Sequence, residues 1–288
     1  MMNTYDFQIA GLYIRVRSPF PLTELFELSA FAAAYDPDKP PDALYTLELL
    51  PKNWTIKGEK LSENQRCAIY QWKNELHRYF HWSIYSQDRF ILLRSVKGHP
   101  HYTIYLQEAF LHRILPQFRL ASFLAPEELL LNHDAFLLHA AVVNWQGNAV
   151  LFTGPSGIGK STQADLWARL EGAEIINGDR AIIRNSHDQF TAWGSPYAGT
   201  SCIYKNRGVP IRAIVCLSQA KTNTLYPLTG LTAFQNLLRE ATTAPWDPNF
   251  MSRLTDLLLK LSAQIPIYHL SCTPTADAVD ILKEMLTQ

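Results

Sequence analysis

Apolar residues fall along this chain in short runs separated by turn-forming residues, and the spacing inside the runs shifts between alternation and helical periodicity. In the first hundred or so residues the pattern predicts strands over 7–16 and 43–50, a helix over 22–34 and a loop at Asp36-Pro37-Asp38-Lys39-Pro40-Pro41. Residues 89–96 and 101–107 read as a hairpin. Between them and the first strands lies an aromatic stretch holding Tyr70, Trp72, His77, Tyr79, Phe80, His81, Trp82 and Tyr85. Such a cluster is more often a packed core than a recognition groove.

The stretch over 117–125, flanked by Pro116 and Pro126, marks a boundary, so the chain divides into an N-terminal α/β domain over 1–125 and a second domain over 126–288. The second domain opens with a helix-like run at 126–132. Strands follow at 135–143 and 148–153, joined by Asn144-Trp145-Gln146-Gly147, a connection with a glycine suited to a turn. A helix from Ser161 to Leu170 comes next, then a short strand at 173–177 and a hairpin over 181–184 and 189–194. Further strands fit 212–217, 224–228 and 266–272, with helices around 232–241, 250–261 and 275–286. The fold class is α/β with a β-rich second domain.

Length changes this picture little, because 288 residues suffice for one large core or two modest ones. Charge narrows the partners: Lys plus Arg and Asp plus Glu both number 26, so no excess draws the chain to a nucleic-acid backbone or an anionic membrane. Cys67, Cys202, Cys216 and Cys272 lack CxxC or zinc-type spacing and read as reduced thiols. With a polar start at residues 1–6 and no apolar stretch approaching the roughly twenty residues of a bilayer span, the expectation is a cytoplasmic protein. The sequon Asn53-Trp54-Thr55 is then incidental.

One segment carries chemistry of high specificity. Gly154-Pro155-Ser156-Gly157-Ile158-Gly159-Lys160-Ser161 is an intact Walker A sequence between a strand-like and a helix-like run, with Thr162 continuing into the helix. Glycines let successive backbone N–H groups turn inward, Lys160 brings a point charge for the outer phosphates, and the Ser161 hydroxyl can hold Mg²⁺. A helix beginning at that point adds its positive end. ATP and Mg²⁺ are the ligands this segment implies.

Phosphoryl transfer also needs a carboxylate for the metal or the incoming hydroxyl, and cations for the developing charge. Asp179 ends a strand nineteen residues beyond Lys160, where a strand-helix-strand unit returns the chain beside the loop. Arg180 either clamps phosphate or pairs with a surface acid, and the residues leave both open. His139 is ionisable in an apolar strand; taken alone it reads as a core histidine.

Together these residues resemble the HPr kinase/phosphorylase family, whose core is related to ATP-dependent phosphoenolpyruvate carboxykinase. The likeness covers about residues 130–215. It rests on Leu138-His139-Ala140-Ala141-Val142-Val143, on the loop from Gly154 to Ser161, and on Gly178-Asp179-Arg180 where the family has Asp-Asp-Arg. The resemblance implies a β-rich carboxykinase-type core in place of the doubly wound P-loop sheet, and it makes His139 a site residue near metal and phosphates. One family acid is replaced by Gly178, which leaves the base that accepts the hydroxyl proton open among His139, Asp179 and another residue. Gly194-Ser195-Pro196-Tyr197-Ala198-Gly199-Thr200-Ser201 is similar to a Gly-Ser-Pro segment of relatives that accompany peptide-modifying systems, some resembling tailoring kinases of ribosomally made peptides. Lys205, Arg207 and Arg212 follow as a basic loop able to close over phosphates.

The reading is a kinase that moves the γ-phosphoryl of ATP to a hydroxyl, of a serine or threonine in a peptide or small protein, with Lys160, Asp179, His139 and Arg180 as catalytic residues and Ser161 and Asp179 as metal ligands. The N-terminal domain would present the acceptor. A small-molecule kinase and a non-catalytic nucleotide-binding regulator are the alternatives; the assembly state, a homo-oligomer included, and the purine preference stay open.

Overall fold

A computed structural model describes residues 2–22, 24–83, 86–111, 115, 119–197 and 199–288. The chain divides into two compact units, Met1–Ala125 and Pro126–Gln288. The fold is mixed α/β and rich in strands, with one sheet system in each unit.

In the first unit, strands β1 (Asn3–Ile9), β2 (Leu12–Ser18), β3 (Ala32–Ala33), β4 (Ala43–Leu49), β5 (Glu59–Glu63), β6 (Cys67–Trp72), β7 (Glu75–Ser83), β8 (Ser86–Val96) and β9 (His101–Leu106) form a nine-stranded sheet in the order β3-β1-β2-β4-β9-β8-β7-β6-β5. The strand expected over 7–16 is a hairpin instead. Ala10 and Gly11 both take positive φ, 51° and 80°, the two-residue turn whose twist matches paired antiparallel strands. Apolar residues on both sides of that turn hid it. The helix expected over 22–34 shrinks to a 3-10 stretch, Phe26–Phe31, that runs into β3.

The aromatic stretch pairs as β6 and β7 and packs. His77 and Tyr79 are buried, and Tyr70 meets Tyr79 edge-on at 5.6 Å. Tyr85 and Gln117 lie outside the described residues, as does the side chain of Trp82.

The second unit contains α1 (Glu127–Asn132), β10 (Ala135–Trp145), β11 (Asn148–Thr153), α2 (Lys160–Glu171), β12 (Glu174–Asn177), β13 (Arg180–Ser186), β14 (Gln189–Trp193), β15 (Gly208–Gln219), β16 (Thr224–Leu228), α3 (Gly230–Glu240), α4 (Pro248–Gln264), β17 (Ile267–Cys272) and α5 (Ala276–Thr287). The strands run in the order β11-β10-β13-β14-β15-β17-β16, with β12 beside β10 and β11 also pairing with β15. Among the described residues of this unit, only the β11–β15 and β15–β17 pairs are parallel. The sheet is therefore not doubly wound.

Two apolar clusters hold it. One gathers Leu138, Phe190, Ile214, Leu237, Leu254 and their neighbours between the sheet and α3 and α4. The other packs Trp167 of α2 edge-on against Trp145 at 5.1 Å, with Phe152 beside them. Fully burying aromatic groups of this size contributes about 1.5–3 kcal/mol each, which fixes α2 against β10 and β11. Among the described residues no disulfide joins any of the four cysteines. Among the described residues no helix is long and apolar enough to cross a membrane.

Candidate active site

The long strand β10 changes partners at its middle. Residues 135–139 pair with β13, with His139 opposite Arg180, whereas 140–145 pair with β11, with Ala140 opposite Thr153. One neighbouring strand ends where the glycine loop begins, and the other begins at Asp179-Arg180. His139 stands between them. A hydrogen bond from Thr153 Oγ1 to the His139 carbonyl, 2.9 Å, fastens the end of β11 to this point.

The loop that follows has the backbone its glycines allow. Gly154, Gly157 and Gly159 take φ of 143°, 79° and 115°, conformations that cost other residues a Cβ clash. Helix α2 then starts at Lys160 with no side-chain cap, which leaves the N–H groups of its first turn for an anion. Lys160 is only 6% exposed. Its Nζ donates to the carbonyls of Gly154 at 2.8 Å and Pro155 at 3.0 Å. Burial pushes its pKa down, and the charges of Glu240 and Asp179 draw it back up. Pro155, Ser156, Gly157, Ser161 and Thr162 are exposed, while Ile158 and Gly159 are half-buried. Among the described residues neither Ser161 nor Thr162 spends its hydroxyl on a hydrogen bond.

Beyond β12 the chain turns on Asn177, which is completely buried. Its Oδ1 accepts from the N–H groups of Asp179 and Arg180, both at 2.9 Å, and its Nδ2 donates to the Ser195 carbonyl at 2.9 Å. This asparagine turn aims Asp179 at His139, with Asp179 Oδ1 3.3 Å from His139 Nε2. The opposite ring nitrogen, Nδ1, lies 3.2 Å from Glu240 Oε2 at the end of α3. The His139 contact holds the Asp179 pKa below its ordinary value; Arg180 and Lys160 add to that, and burial opposes it. Asp179 is thus ionised at neutral pH.

Arg180 is exposed, with Nε 3.8 Å from Asp179 Oδ2. Gly199 lies against the other side of the aspartate, where a Cβ would come within 2.9 Å of its Cγ and where φ is +57°. Ala198 lies outside the described residues.

His139, Lys160, Asp179 and Arg180 are therefore brought to one place, beside the loop from Gly154 to Thr162. The basic residues further on are not. Lys205 and Arg207 both pair with Glu174. Arg212 stacks over Trp145 and donates to the Leu286 carbonyl. Glu240 and Asn177 join the site without having been read from the sequence. The run Asn177-Gly178-Asp179 is a turn signal that marks Asn177, but nothing local marks Glu240.

A cleft of about 340 Å³ borders the loop, lined by Gly157, Thr162, Gln163, Gln219, Cys272 and Thr273 among others. Among the described residues no three His, Cys, Asp or Glu are grouped to hold a metal ion by themselves.

One solved structure similar to the chain is the HPr(Ser) kinase/phosphatase from Coxiella burnetii, at 16% identity, covering 52% of this chain and 87% of that one with a TM-score of 0.31. No curated protein matches the chain. A family model, described as SynChlorMet cassette protein ScmC, matches residues 128–280, which is more than half of the 288 residues and contains every site residue named above. The chain belongs to the ScmC family.

Proposed function

We propose that the protein is an ATP-dependent kinase that transfers the γ-phosphoryl group to a hydroxyl, most naturally that of a serine or threonine in a peptide or small protein. The observation that carries this reading is the buried Lys160 ammonium, bound to carbonyls of its own glycine loop, on which the charges of Glu240 and Asp179 act. Carboxylates beside a polyphosphate repel it unless a divalent cation lies between, and an ordinary anion site would not contain them. Mg²⁺ would be held by Ser161 and Asp179 and would neutralise charge on the β and γ oxygens.

The remaining roles belong to the chain itself. Lys160 and the first-turn N–H groups of α2 bind the β and γ phosphates, and the cleft beside the loop receives the nucleoside. The acceptor oxygen forms its bond to the γ phosphorus as the bond to the bridging oxygen of ADP breaks. The hydroxyl proton passes to the His139–Asp179 pair. Arg180, exposed next to Asp179, offers charge to the transferring oxygens. The first unit presents the acceptor. The word cassette in the family's description supports seeking that acceptor among products of adjacent genes. Incubating Mg·ATP with such peptides and reading an 80-dalton gain by mass spectrometry, about the mass of one phosphoryl group, tests the reading. Nucleotide binding without acceptor phosphorylation or ADP formation would replace the kinase by a regulatory nucleotide-binding protein.

Two variants examine the geometry around Asp179. His139→Ala is expected to lower kcat about 10²-fold with far-UV circular dichroism unchanged, because the imidazole is partly exposed and its removal opens no large core cavity. Unfolding would return His139 to a packing role. Gly199→Val is expected to displace the Asp179 carboxylate and reduce kcat by about 10²-fold, the scale of a misplacement near 1 Å. Steady-state kinetics check it, and kcat within about twofold of wild type would show that the contact does not position the acid.

A further inference from the structure

We propose that Glu240 is the second carboxylate of this site, a positioning residue that fixes the His139 ring from the side opposite Asp179. The proposal rests on the kinase reading for its consequence in catalysis, but its geometry stands without it.

Glu240 is in the wrong place to be a stabilising surface charge. It is the last residue of α3, where the helix dipole disfavours an acid. Its side chain is only 9% exposed, and among the described residues it has no lysine or arginine ion-pair partner. Burial of a carboxylate under those terms costs free energy unless a specific contact offsets it. The contact here is His139 Nδ1 at 3.2 Å.

The backbone holds this pair in register. Ala241 bridges to Leu138, and the Thr242 N–H donates to the Leu137 carbonyl at 2.9 Å, so the end of α3 is sewn to β10 beside His139. Leu237 and Ala233 anchor the same helix in the core. Glu240 also acts electrostatically on Lys160, ahead of Asp179.

A carboxylate accepting from Nδ1–H decides which ring nitrogen faces the reacting groups, leaving Nε2 toward Asp179. Glu240, 101 residues along the chain from His139, thus provides negative charge at the same histidine that Asp179 meets from the other side.

The test reads the ring directly. Long-range ¹H–¹⁵N correlation spectra of the nucleotide-free protein, with kcat and KM for Mg·ATP, are compared for wild type, Glu240→Ala and Glu240→Gln. Wild type is expected to show a proton on Nδ1 of His139. In Glu240→Ala that signature is lost, and kcat falls about 10- to 100-fold with KM for ATP within about threefold. Glu240→Gln, which still offers an acceptor oxygen, keeps the signature and recovers much of kcat. An unaltered His139 spectrum in Glu240→Ala, or a rise in KM at constant kcat, overturns the proposal. If Glu240→Ala does not fold, loss of the Nδ1 signature in folded Glu240→Gln overturns it equally. A responsive ring in a protein that transfers no phosphate would sink the kinase reading and leave the Glu240–His139 coupling intact.

Discussion

Lys160→Ala is expected to reduce phosphoryl transfer by about 10²–10³-fold and to weaken nucleotide binding as well, the scale seen when one preorganised electrostatic group is removed from a transition state. Both effects follow from where the side chain lies. The ammonium is desolvated, so its charge acts through a medium far less screening than water. It also fastens the Gly154 and Pro155 carbonyls at 2.8 and 3.0 Å, and its loss leaves those acceptors to solvent and the glycine loop without an internal tie. Titration calorimetry with a non-hydrolysable ATP analogue, alongside initial rates, separates the two contributions. Retention of wild-type rates and affinity would mean that no polyphosphate docks in this bend.

Asp179→Asn is expected to divide the effects differently. The amide is nearly isosteric and keeps an oxygen toward His139, so the turn set by Asn177 survives. What disappears is the negative charge that a divalent cation requires. Single-turnover rates are expected to fall about 10²–10³-fold while nucleotide affinity changes only several-fold, because most binding comes from the loop and α2. Because His139, Arg180 and Lys160 keep the wild-type carboxylate ionised well below neutral pH, the deficit in the variant is expected to persist throughout the neutral range. Turnover at the wild-type rate would remove Asp179 from the metal.

How far the sequence discloses this site depends on how local each feature is. The loop from Gly154 to Ser161 is legible because phosphate cradles are made by consecutive backbone groups, and the strand and helix flanking it form where the apolar runs place them. Asp179 follows from the length of one strand-helix-strand return. Glu240 is illegible for the opposite reason: it reaches His139 through a bridge between the end of a distant helix and a strand, and its neighbours Leu238 and Arg239 look like any amphipathic surface. The basic segment errs in a related way. Lys205 and Arg207 carry the right charge for phosphate, yet Glu174 is their counter-ion, and charge along a chain does not say which acid it will meet. In the first unit, apolar continuity over 7–16 concealed a turn at Ala10-Gly11, since hydrophobic residues persist on both sides of a hairpin whose strands are both buried.

The divided pairing of β10 has a consequence for how this unit fails. His139 and Ala140 are clamped by hydrogen-bonded neighbours belonging to both halves of the sheet, so neither half can peel away while the histidine keeps its setting. Fraying of the outer strand β16 leaves the chemistry untouched, whereas melting at the midpoint of β10 erases imidazole, glycine bend and aspartate turn together. Loss of activity on heating or in denaturant is therefore expected to track the opening of the middle of β10, and not the loosening of the sheet's outer strand.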